Sequence, residues 1–313
     1  SENVTPIFIA VKANRPDNIV EILKDDWEAA YYKDQHGYFP MHVAARLGYT
    51  ECVQVLVEFD KPSVNFLSGY KKLSPLMLAA ANGHLYLCRF LVEVCKCEVN
   101  LLDKQNRNAL VYAVRNGHLE VAAYLLRQKS FFNYPDTSMN YALHFACAYG
   151  WKDVVGLLLK AGADVNALNE WKYSPLLVSM LKNQVDITKF LLEKGQGVDV
   201  NGTDETGRTL LSYAVEQISD EQIAFLKFLI KDKKADPNLA DVSGRTPLFY
   251  LVMARTPASQ AQLEEISDIL EPQKYIQRLE EDEKRVFEVA KYLIEQGKAN
   301  PRIKDKKGVS LGQ

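Results

Sequence analysis

Histidine and cysteine are the residue types here that most often bind metals or act as nucleophiles, and this 313-residue chain has five of each. Cys95 and Cys97 lie close together with Cys88 nearby, but no second Cys or His pair follows at the spacing of a zinc site. We therefore expect ordinary reduced thiols. The sequence also lacks a Gly-rich phosphate loop and the H-E-x-x-H, G-x-S-x-G and EF-hand patterns. It predicts no catalytic residue, no cofactor site and no metal site.

A short sequence repeat runs along the chain. Any function other than catalysis or metal binding must be carried by the elements of this repeat. A small or hydroxyl residue, often followed by proline, precedes an apolar pair and then alanines. The repeats open at Thr5, Phe39, Ser74, Asn108, Tyr141, Ser174, Thr209, Thr246 and Ser310. The intervals are 34, 35, 34, 33, 33, 35, 37 and 64 residues, so one period near 34 governs the chain and the last interval holds inserted residues.

Each repeat predicts two short antiparallel helices. In the fifth repeat, two apolar blocks with helical spacing flank Gly150, and Gly162 stands where a left-handed C-terminal cap is needed. Thr-Pro and Ser-Pro openings place a capping hydroxyl before a proline at the first helical position. An aspartate followed by glycine precedes several openings, which predicts a tight turn. These pairs are Asp34 and Gly37, Asp204 and Gly207, Asp241 and Gly244, and Asp305 and Gly308.

At these residues the sequence resembles the ankyrin repeat family. The resemblance rests on Leu143-His144-Phe145-Ala146, Ala81-Asn82-Gly83-His84, Arg115-Asn116-Gly117-His118-Leu119-Glu120 and the segment 158–166. It implies an all-α fold with short β-hairpin loops, an ankyrin repeat solenoid of stacked helix-turn-helix units. One array is expected over 1–313, with repeats starting near 5, 34, 69, 103, 136, 169, 204, 241 and 305. Phe39, Asn108 and Tyr141 lack the hydroxyl cap, so we expect those helix starts to be weaker by ~1 kcal/mol each.

A lone repeat cannot bury its helix pair, so stability must come from packing between neighbours. The expected core residues are Leu76, Ala79, Ala80, Leu91, Leu110, Ala113, Leu125, Leu143, Ala146, Leu158, Leu176, Leu191, Leu226 and Leu229. Four of the five histidines occupy recurrent repeat positions, where we expect them to bond backbone or hydroxyl groups.

The resemblance implies a concave surface built from hairpins and inner helices. Aromatic residues recur at positions on this surface. Contiguous aromatic surface marks interaction sites. The predicted partner-binding residues are Tyr38, Tyr70, Tyr112, Phe145, Tyr149, Trp171, Tyr173, Tyr213 and Tyr250. The alternative is that several of these rings pack between neighbouring repeats. Asn166 resembles the asparagine that a cytosolic hydroxylase modifies in some ankyrin repeats, and is a modification candidate.

The eighth repeat carries an insertion over 254–283. It mixes acidic residues with apolar ones at helical spacing, and Pro272 should break the run. It is either a helix docked on a partner or on the array, or a solvated acidic loop. The ninth repeat stops after its opening. We therefore expect the polypeptide to continue past Gln313, or a partner to cover this end.

Composition limits the partners and the compartment. With 38 basic and 40 acidic residues the net charge is −2, which gives no chain-wide basic field for nucleic acid. No apolar stretch reaches the ~20 residues of a membrane span, and residues 1–15 lack signal-peptide character. Five scattered cysteines favour a reducing, cytoplasmic location, with cytoskeletal or organellar association possible in principle.

Two functions follow from the resemblance. The first is a non-catalytic protein-binding scaffold within a larger assembly. The second is the cytosolic ankyrin region of a longer enzyme or membrane protein, such as a channel, acyltransferase or kinase, whose active part lies beyond residue 313. An enzyme that uses the groove itself has no supporting residues.

Overall fold

The fold of the described residues is all-α. The computed structural model describes residues 5–216, 219–253, 281–302 and 304–309. These ranges contain sixteen α-helices and no β-strand, with two isolated antiparallel bridges, Ser68 to Leu73 and Thr203 to Thr209. None of the helices in these ranges combines the length and hydropathy that crossing a bilayer requires. The chain divides into two compact units, residues 1–164 (unit 1) and 165–313 (unit 2).

Unit 1 is a stack of five helix pairs. Its inner helices are α1 (Pro6–Lys12), α3 (Pro40–Leu47), α5 (Pro75–Ala81), α7 (Ala109–Arg115) and α9 (Ala142–Tyr149). Its outer helices are α2 (Pro16–Asp25), α4 (Thr50–Phe59), α6 (Leu85–Arg89, continued by a π-turn over Phe90–Val94), α8 (Leu119–Arg127) and α10 (Lys152–Lys160). Each inner helix contacts the next inner helix and its own outer helix. This is the neighbour-on-neighbour packing that a repeat stack requires.

Unit 2 repeats the same arrangement. Its inner helices are α11 (Pro175–Leu181), α13 (Leu210–Ala214) and α15 (Pro247–Met253). Its outer helices are α12 (Val185–Lys194), α14 (Asp220–Lys231) and α16 (Glu281–Glu295). Residues 254–280 of the predicted insertion lie outside the described residues, so its two interpretations remain open.

The predicted helix starts are confirmed for all eight inner helices, each of which begins one residue after a repeat opening. The predicted core is confirmed as well, because every member of it is buried. Side chains of Ser74 and Ser174 accept hydrogen bonds from the backbone N–H three residues on, at 3.2 Å in both cases, as N-caps do.

Two predicted caps are wrong. Asn108 was expected to leave its helix uncapped, but its amide oxygen accepts from the backbone N–H of Val111 at 3.1 Å, since a side-chain carbonyl caps as well as a hydroxyl. Thr5 was expected to cap α1, but its hydroxyl makes no cap bond and has no hydrogen-bond partner among the described residues. At Tyr141 the backbone N–H is satisfied instead by Nδ1 of His144, at 3.2 Å.

The reversals between inner and outer helices lock successive repeats together. Gly48 and Gly83 have φ of 78° and 75°, and a Cβ on either would lie under 3.0 Å from the ring of His84 or His118 in the next repeat. The Nε2 atoms of those histidines bond the carbonyls of Arg46 and Ala81. Trp151 takes the same place in the fifth repeat, where its indole N–H donates to the carbonyl of Arg115 at 3.2 Å. Since a carbonyl oxygen can only accept a hydrogen bond, the two histidines donate from a protonated Nε2.

Candidate functional site: two turn strips

Seven of the eight turns at the repeat starts are built on one side chain each, and the remaining turn, 69–73, begins with Gly69 instead. In six of them an aspartate, and in one Asn169, uses Oδ1 to accept the backbone N–H groups two and four residues on. Asp34, for example, accepts from His36 and Tyr38, both at 2.9 Å. This is the predicted Asx chemistry. Glycines at the fourth turn position have positive φ, such as 77° at Gly37 and 82° at Gly244.

Backbone hydrogen bonds then join successive turns into a strip in each unit. We call the unit 1 turns 34–38, 69–73, 103–107 and 136–140 the first turn strip, and the unit 2 turns 169–173, 204–208, 241–245 and 305–309 the second turn strip. In the first strip the bonds run from Gly69 N to Gly37 O at 3.0 Å, Lys104 N to Lys71 O and Thr137 N to Gln105 O, both at 3.1 Å. In the second they run from Glu205 N to Trp171 O, Val242 N to Thr206 O and Lys306 N to Ser243 O. Each strip is therefore a rigid platform for its side chains.

Three of the predicted partner-binding tyrosines are held inside this framework. Tyr112 and Tyr250 are only 7% and 8% exposed, and Tyr213 is half-buried. Their hydroxyls donate to the first aspartate of their own turn: Tyr112 to Asp103 at 2.5 Å, Tyr213 to Asp204 at 2.6 Å and Tyr250 to Asp241 at 2.5 Å. Burial, and secondarily the hydrogen bond to the carboxylate, raises the pKa of all three, to about 12 for Tyr250. The exposure expected of Tyr112 and Tyr250 is not found, because their hydroxyls close the turn.

An arginine completes each of these clusters. Arg107 donates from Nε and Nη2 to Asp103 at 3.1 and 3.0 Å, and the two side chains are only 6% and 0% exposed. Arg245 makes the same pair with Asp241, but its side chain is 38% exposed. Arg208 lies instead between the rings of Tyr213 and Tyr250, 3.8 and 3.9 Å from their centroids, and pairs with Glu216 at 2.6 Å. A cation on the face of an aromatic ring stabilises this packing.

These clusters were not predicted, although the sequence contains a signal for them. Aspartate, arginine and tyrosine occur at positions one, five and ten of three repeats: 103, 107 and 112; 204, 208 and 213; 241, 245 and 250. The other repeats have Val43, Leu78, Phe145 or Val178 at position ten and no arginine at position five. The co-occurrence of all three types would have predicted a buried polar cluster at these tyrosines.

The other predicted aromatic residues reach the surface to different degrees. Tyr70 is 84% exposed, Tyr149 47% and Trp171 41%. Tyr38, Phe145 and Tyr173 are half-buried. Several of them have ring or cation neighbours: Trp171 stacks with Tyr173 at 6.2 Å, Tyr38 with His42 at 6.1 Å, and Arg115 lies 5.4 Å from the ring centroid of Phe145. Their role in binding a partner stays a prediction.

Tyr70 and Tyr38 lie at adjacent turns of the first strip. Gly69 makes room for Tyr38, since a Cβ there would lie 2.5 Å from the Tyr38 ring. Tyr70 is turned outward, and Nζ of Lys104 from the next turn lies 4.5 Å from its ring centroid. Lys71 and Lys72 beside it are also exposed. Two neighbouring turns thus hold an exposed aromatic ring and three exposed lysines close together.

The histidines at the recurrent repeat positions contact backbone groups, as predicted. Nε2 of His42 contacts the carbonyls of Phe66 and Leu73 at 2.8 and 3.0 Å. Burial lowers the pKa of His42 from 6.5 to about 4, against the opposing effect of those two bonds, so the ring is neutral. No group of three or more His, Cys, Asp or Glu side chains in the described ranges could hold a metal ion.

All five cysteines are free and buried. Burial raises their pKa, to about 11 for Cys52 and about 12 for Cys88 and Cys97. Such thiols carry little thiolate at neutral pH and are poor nucleophiles. They act as small apolar side chains of the unit 1 core.

Asn166 is exposed, but its amide bridges to the next loop of unit 2. Its Nδ2 donates to Gly197 O at 2.7 Å, and its Oδ1 accepts from Asp199 N at 2.9 Å. Asn100 makes the equivalent pair of bonds to Lys129 and Phe131 in unit 1. The sequence singled out Asn166 alone, whereas the bridge is a recurrent feature of the repeats.

Comparison with known proteins agrees with this architecture. The family model described as ankyrin repeats (3 copies) matches residues 1–66, 60–136 and 143–241. The chain is 33% identical over 281 residues to a poly [ADP-ribose] polymerase tankyrase of Caenorhabditis elegans, a match that covers 80% of this chain and 12% of the relative. It is 26% identical over 274 residues to the human transient receptor potential cation channel subfamily A member 1, and this match covers 82% of this chain and 23% of the relative.

A B-cell lymphoma 3 protein homolog of Mus musculus is 28% identical over 188 residues, covering 59% of this chain and 42% of the relative. The chain therefore spans less than half the length of each of these three relatives. With the family model matched over more than half of the chain, and with inner helices that start after each of the eight predicted openings in the described ranges, this chain belongs to the ankyrin repeat family.

Proposed function

We propose that this chain is a non-catalytic scaffold that binds partner proteins through its turn strips and inner helices. Ankyrin repeats are generally protein-interaction modules, and the family match supports that class of function. The proposal extends to partner residues at Tyr38, Tyr70, Phe145, Tyr149, Trp171 and Tyr173. Tyr112, Tyr213 and Tyr250 then contribute by holding the turns rather than by offering exposed rings.

The exposure of Tyr70 is the observation that carries this proposal. Its ring is 84% exposed although its backbone is fixed by the ladder of turn-to-turn bonds. An aromatic side chain on a rigid backbone loses little conformational entropy when a partner covers it. Exposed aromatic rings of this kind are enriched at the energetic centres of protein interfaces.

Site-specific crosslinking tests the proposal. A photo-crosslinking amino acid is placed at Tyr70 and, in a matched variant, at Tyr86, which is 75% exposed on the outer helix α6 of the same unit. We expect discrete crosslinked protein bands from cell extract at position 70 and none of comparable yield at position 86. Equal patterns at both positions, or none at position 70, would contradict the proposal.

A second candidate function is that of the ankyrin region of a longer enzyme or membrane protein. The favouring observation is that two of the matched relatives are, by their names, a polymerase and a cation channel, of which the chain spans 12% and 23%. The full reading frame tests this candidate. Catalytic or membrane-spanning sequence in the same frame would support it, and its absence would leave the scaffold alone.

We also propose a cytoplasmic location in a larger assembly. Five free, buried cysteines suit a reducing compartment, since none is paired in a disulfide. A partner or further chain at the C-terminal end stays part of this proposal. Fractionation of native extract by size and compartment checks both: recovery at the monomer mass, or in a secreted fraction, would contradict them.

Hydroxylation of Asn166 is a further proposal. Because both ends of its amide are bonded to the next loop, a modifying enzyme would have to act when that loop has opened. Mass spectrometry of protein from cells, with Asn100 as the internal control, should show an added oxygen on Asn166. An unmodified Asn166 at full coverage would end this proposal.

A further inference from the structure

The exposed charge of the first turn strip is positive. Lys71, Lys72 and Lys104 are all exposed at neighbouring turns. The carboxylates of the same turns, Asp34, Asp103 and Asp136, each bind two backbone N–H groups through Oδ1, which directs them into the turn. Asp103 is in addition neutralised by buried Arg107. The seventeen other positions of these four turns hold no Asp or Glu.

Further cations flank the strip on the inner helices. Arg46 lies near the end of α3, close enough to Tyr38 for its charge to oppose the burial that raises the pKa of that hydroxyl. Arg115 ends α7 with its guanidinium over the Phe145 ring. Aromatic rings and cations are therefore interleaved along the turns and the inner helix ends of unit 1.

From this arrangement we infer that the first turn strip binds an acidic segment of the partner protein, with an apolar partner side chain against Tyr70 and partner carboxylates at Lys71, Lys72 and Lys104. This inference rests on the proposed protein-binding function and names the chemistry of the partner. The Lys104 ammonium already lies over one side of the Tyr70 ring, so a carboxylate can reach the cation while an apolar group covers the ring. Charge complementarity of this kind selects the partner and speeds association.

The second turn strip carries exposed charges of both signs, because its exposed lysines, Lys172, Lys306 and Lys307, share it with exposed glutamates. Glu170 and Glu205 are exposed at its turn tips, next to Trp171 and Thr206. Its two arginines, Arg208 and Arg245, are paired with Glu216 and Asp241. An acidic segment would meet like charge there, which favours the first strip as its site.

A binding titration with a defined probe tests the inference. The probe is a fluorescein-labelled peptide of alternating Glu and Gly with one central Phe, followed by anisotropy against the full chain. We expect saturable binding that weakens as salt is raised, and binding at least about tenfold weaker when Gln replaces every Glu.

Charge variants locate the site. Lys71→Gln, Lys72→Gln and Lys104→Gln together should weaken the probe about tenfold, a factor that corresponds to ~0.5 kcal/mol for each exposed pair. The matched control combines Lys61→Gln, Lys129→Gln and Lys160→Gln, which removes three exposed charges from the same unit. Lys129 also matches the backbone of Lys72, with φ of 60° against 59°. The control should change the affinity less than about twofold.

Three outcomes would overturn the inference. The Gln peptide could bind as well as the Glu peptide, the two triple variants could weaken binding equally, or a single-stranded oligonucleotide could bind the lysines more tightly than the Glu peptide. If the probe fails to bind while crosslinking at position 70 still captures a protein, the acidic partner is wrong and the scaffold function stands. If neither experiment gives binding, both proposals fail.

Discussion

Unit 1 and unit 2 use the same repeat with different side chains at the same positions. In unit 2, the tyrosines and arginines of the turns pack on one another, with Arg208 between two rings. Unit 1 has one such cluster, at Arg107 and Tyr112, but its turn tips also present Tyr70 and three lysines to solvent. All five histidines and all five cysteines also lie in residues 1–164. The comparison teaches that an aromatic residue on this scaffold can hold the turn or offer a surface, and that its hydrogen-bond partner decides which.

The largest expected difference between the units concerns their buried ion pairs. Asp103→Ala leaves the Arg107 guanidinium, 6% exposed, without its carboxylate, and frees the Tyr112 hydroxyl. We expect a loss of about 3–5 kcal/mol in the free energy of unfolding. Asp241→Ala leaves Arg245 without its carboxylate, but the Arg245 side chain is 38% exposed and can be solvated by water. The loss in the free energy of unfolding should therefore be clearly smaller for Asp241→Ala than for Asp103→Ala. Urea denaturation of both variants checks this order, and equal losses would contradict it.

The second prediction concerns pH. The pKa of His42 falls from 6.5 to about 4 on folding, so between these values the unfolded chain binds a proton that the folded chain does not. The free energy of unfolding of unit 1 should therefore fall by about 3 kcal/mol as the pH drops from 6.5 to 4. Unit 2 has no histidine and should lack this contribution.

Thiol labelling separates the two units in that experiment. All five thiols are buried in unit 1, so their labelling rate, normalised at each pH to that of the unfolded chain, reports the opening of unit 1 alone. His42→Gln is the control, since it removes the titrating group. As the pH drops from 6.5 to 4, the normalised labelling rate should rise in the unaltered chain and rise less in His42→Gln. No rise in the unaltered chain, or an equal rise in both, would rule out His42 as the cause.

A smaller effect is expected from the tyrosine hydroxyls. Tyr213→Phe and Tyr250→Phe each remove a hydrogen bond to a carboxylate and should cost about 1.5–3 kcal/mol of stability, toward the lower end where water reaches the cluster. Tyr70→Phe removes a hydroxyl from an exposed ring and should be neutral within about 0.5 kcal/mol. Thermal unfolding of the three variants compares them. A large loss for Tyr70→Phe would mean that its ring is part of the fold.

Much of this architecture could be predicted from the sequence because it depends on local chemistry. The helix starts follow from Pro, Ser and Thr at fixed positions, and the turns follow from an aspartate with a glycine three residues later. The stack follows from alanines such as Ala79 and Ala113, which are fully buried between inner helices. These signals lie within one repeat and can be read without neighbours.

The exposure of individual rings could not be predicted in the same way. Tyr112 and Tyr250 occupy the position expected near the concave face, yet a carboxylate nine residues earlier accepts a hydrogen bond from each hydroxyl and holds it in the turn. The cation beside Tyr70 likewise depends on which side chain of the neighbouring repeat is within reach. Such contacts join positions one, five and ten of a repeat or the tips of two repeats, so periodicity alone does not show them.

The affinity of a crosslinked partner for two single variants tests the central claim most directly. Tyr70→Ala removes the exposed ring of the first turn strip, whereas Tyr86→Ala removes an equally accessible ring from α6. We predict at least about a tenfold weaker Kd for Tyr70→Ala, because truncating an interface anchor costs 1–2 kcal/mol or more, and less than about a twofold change for Tyr86→Ala. Equal affinities for the two variants, or a loss confined to Tyr86→Ala, would contradict the assignment of the partner surface to the first turn strip.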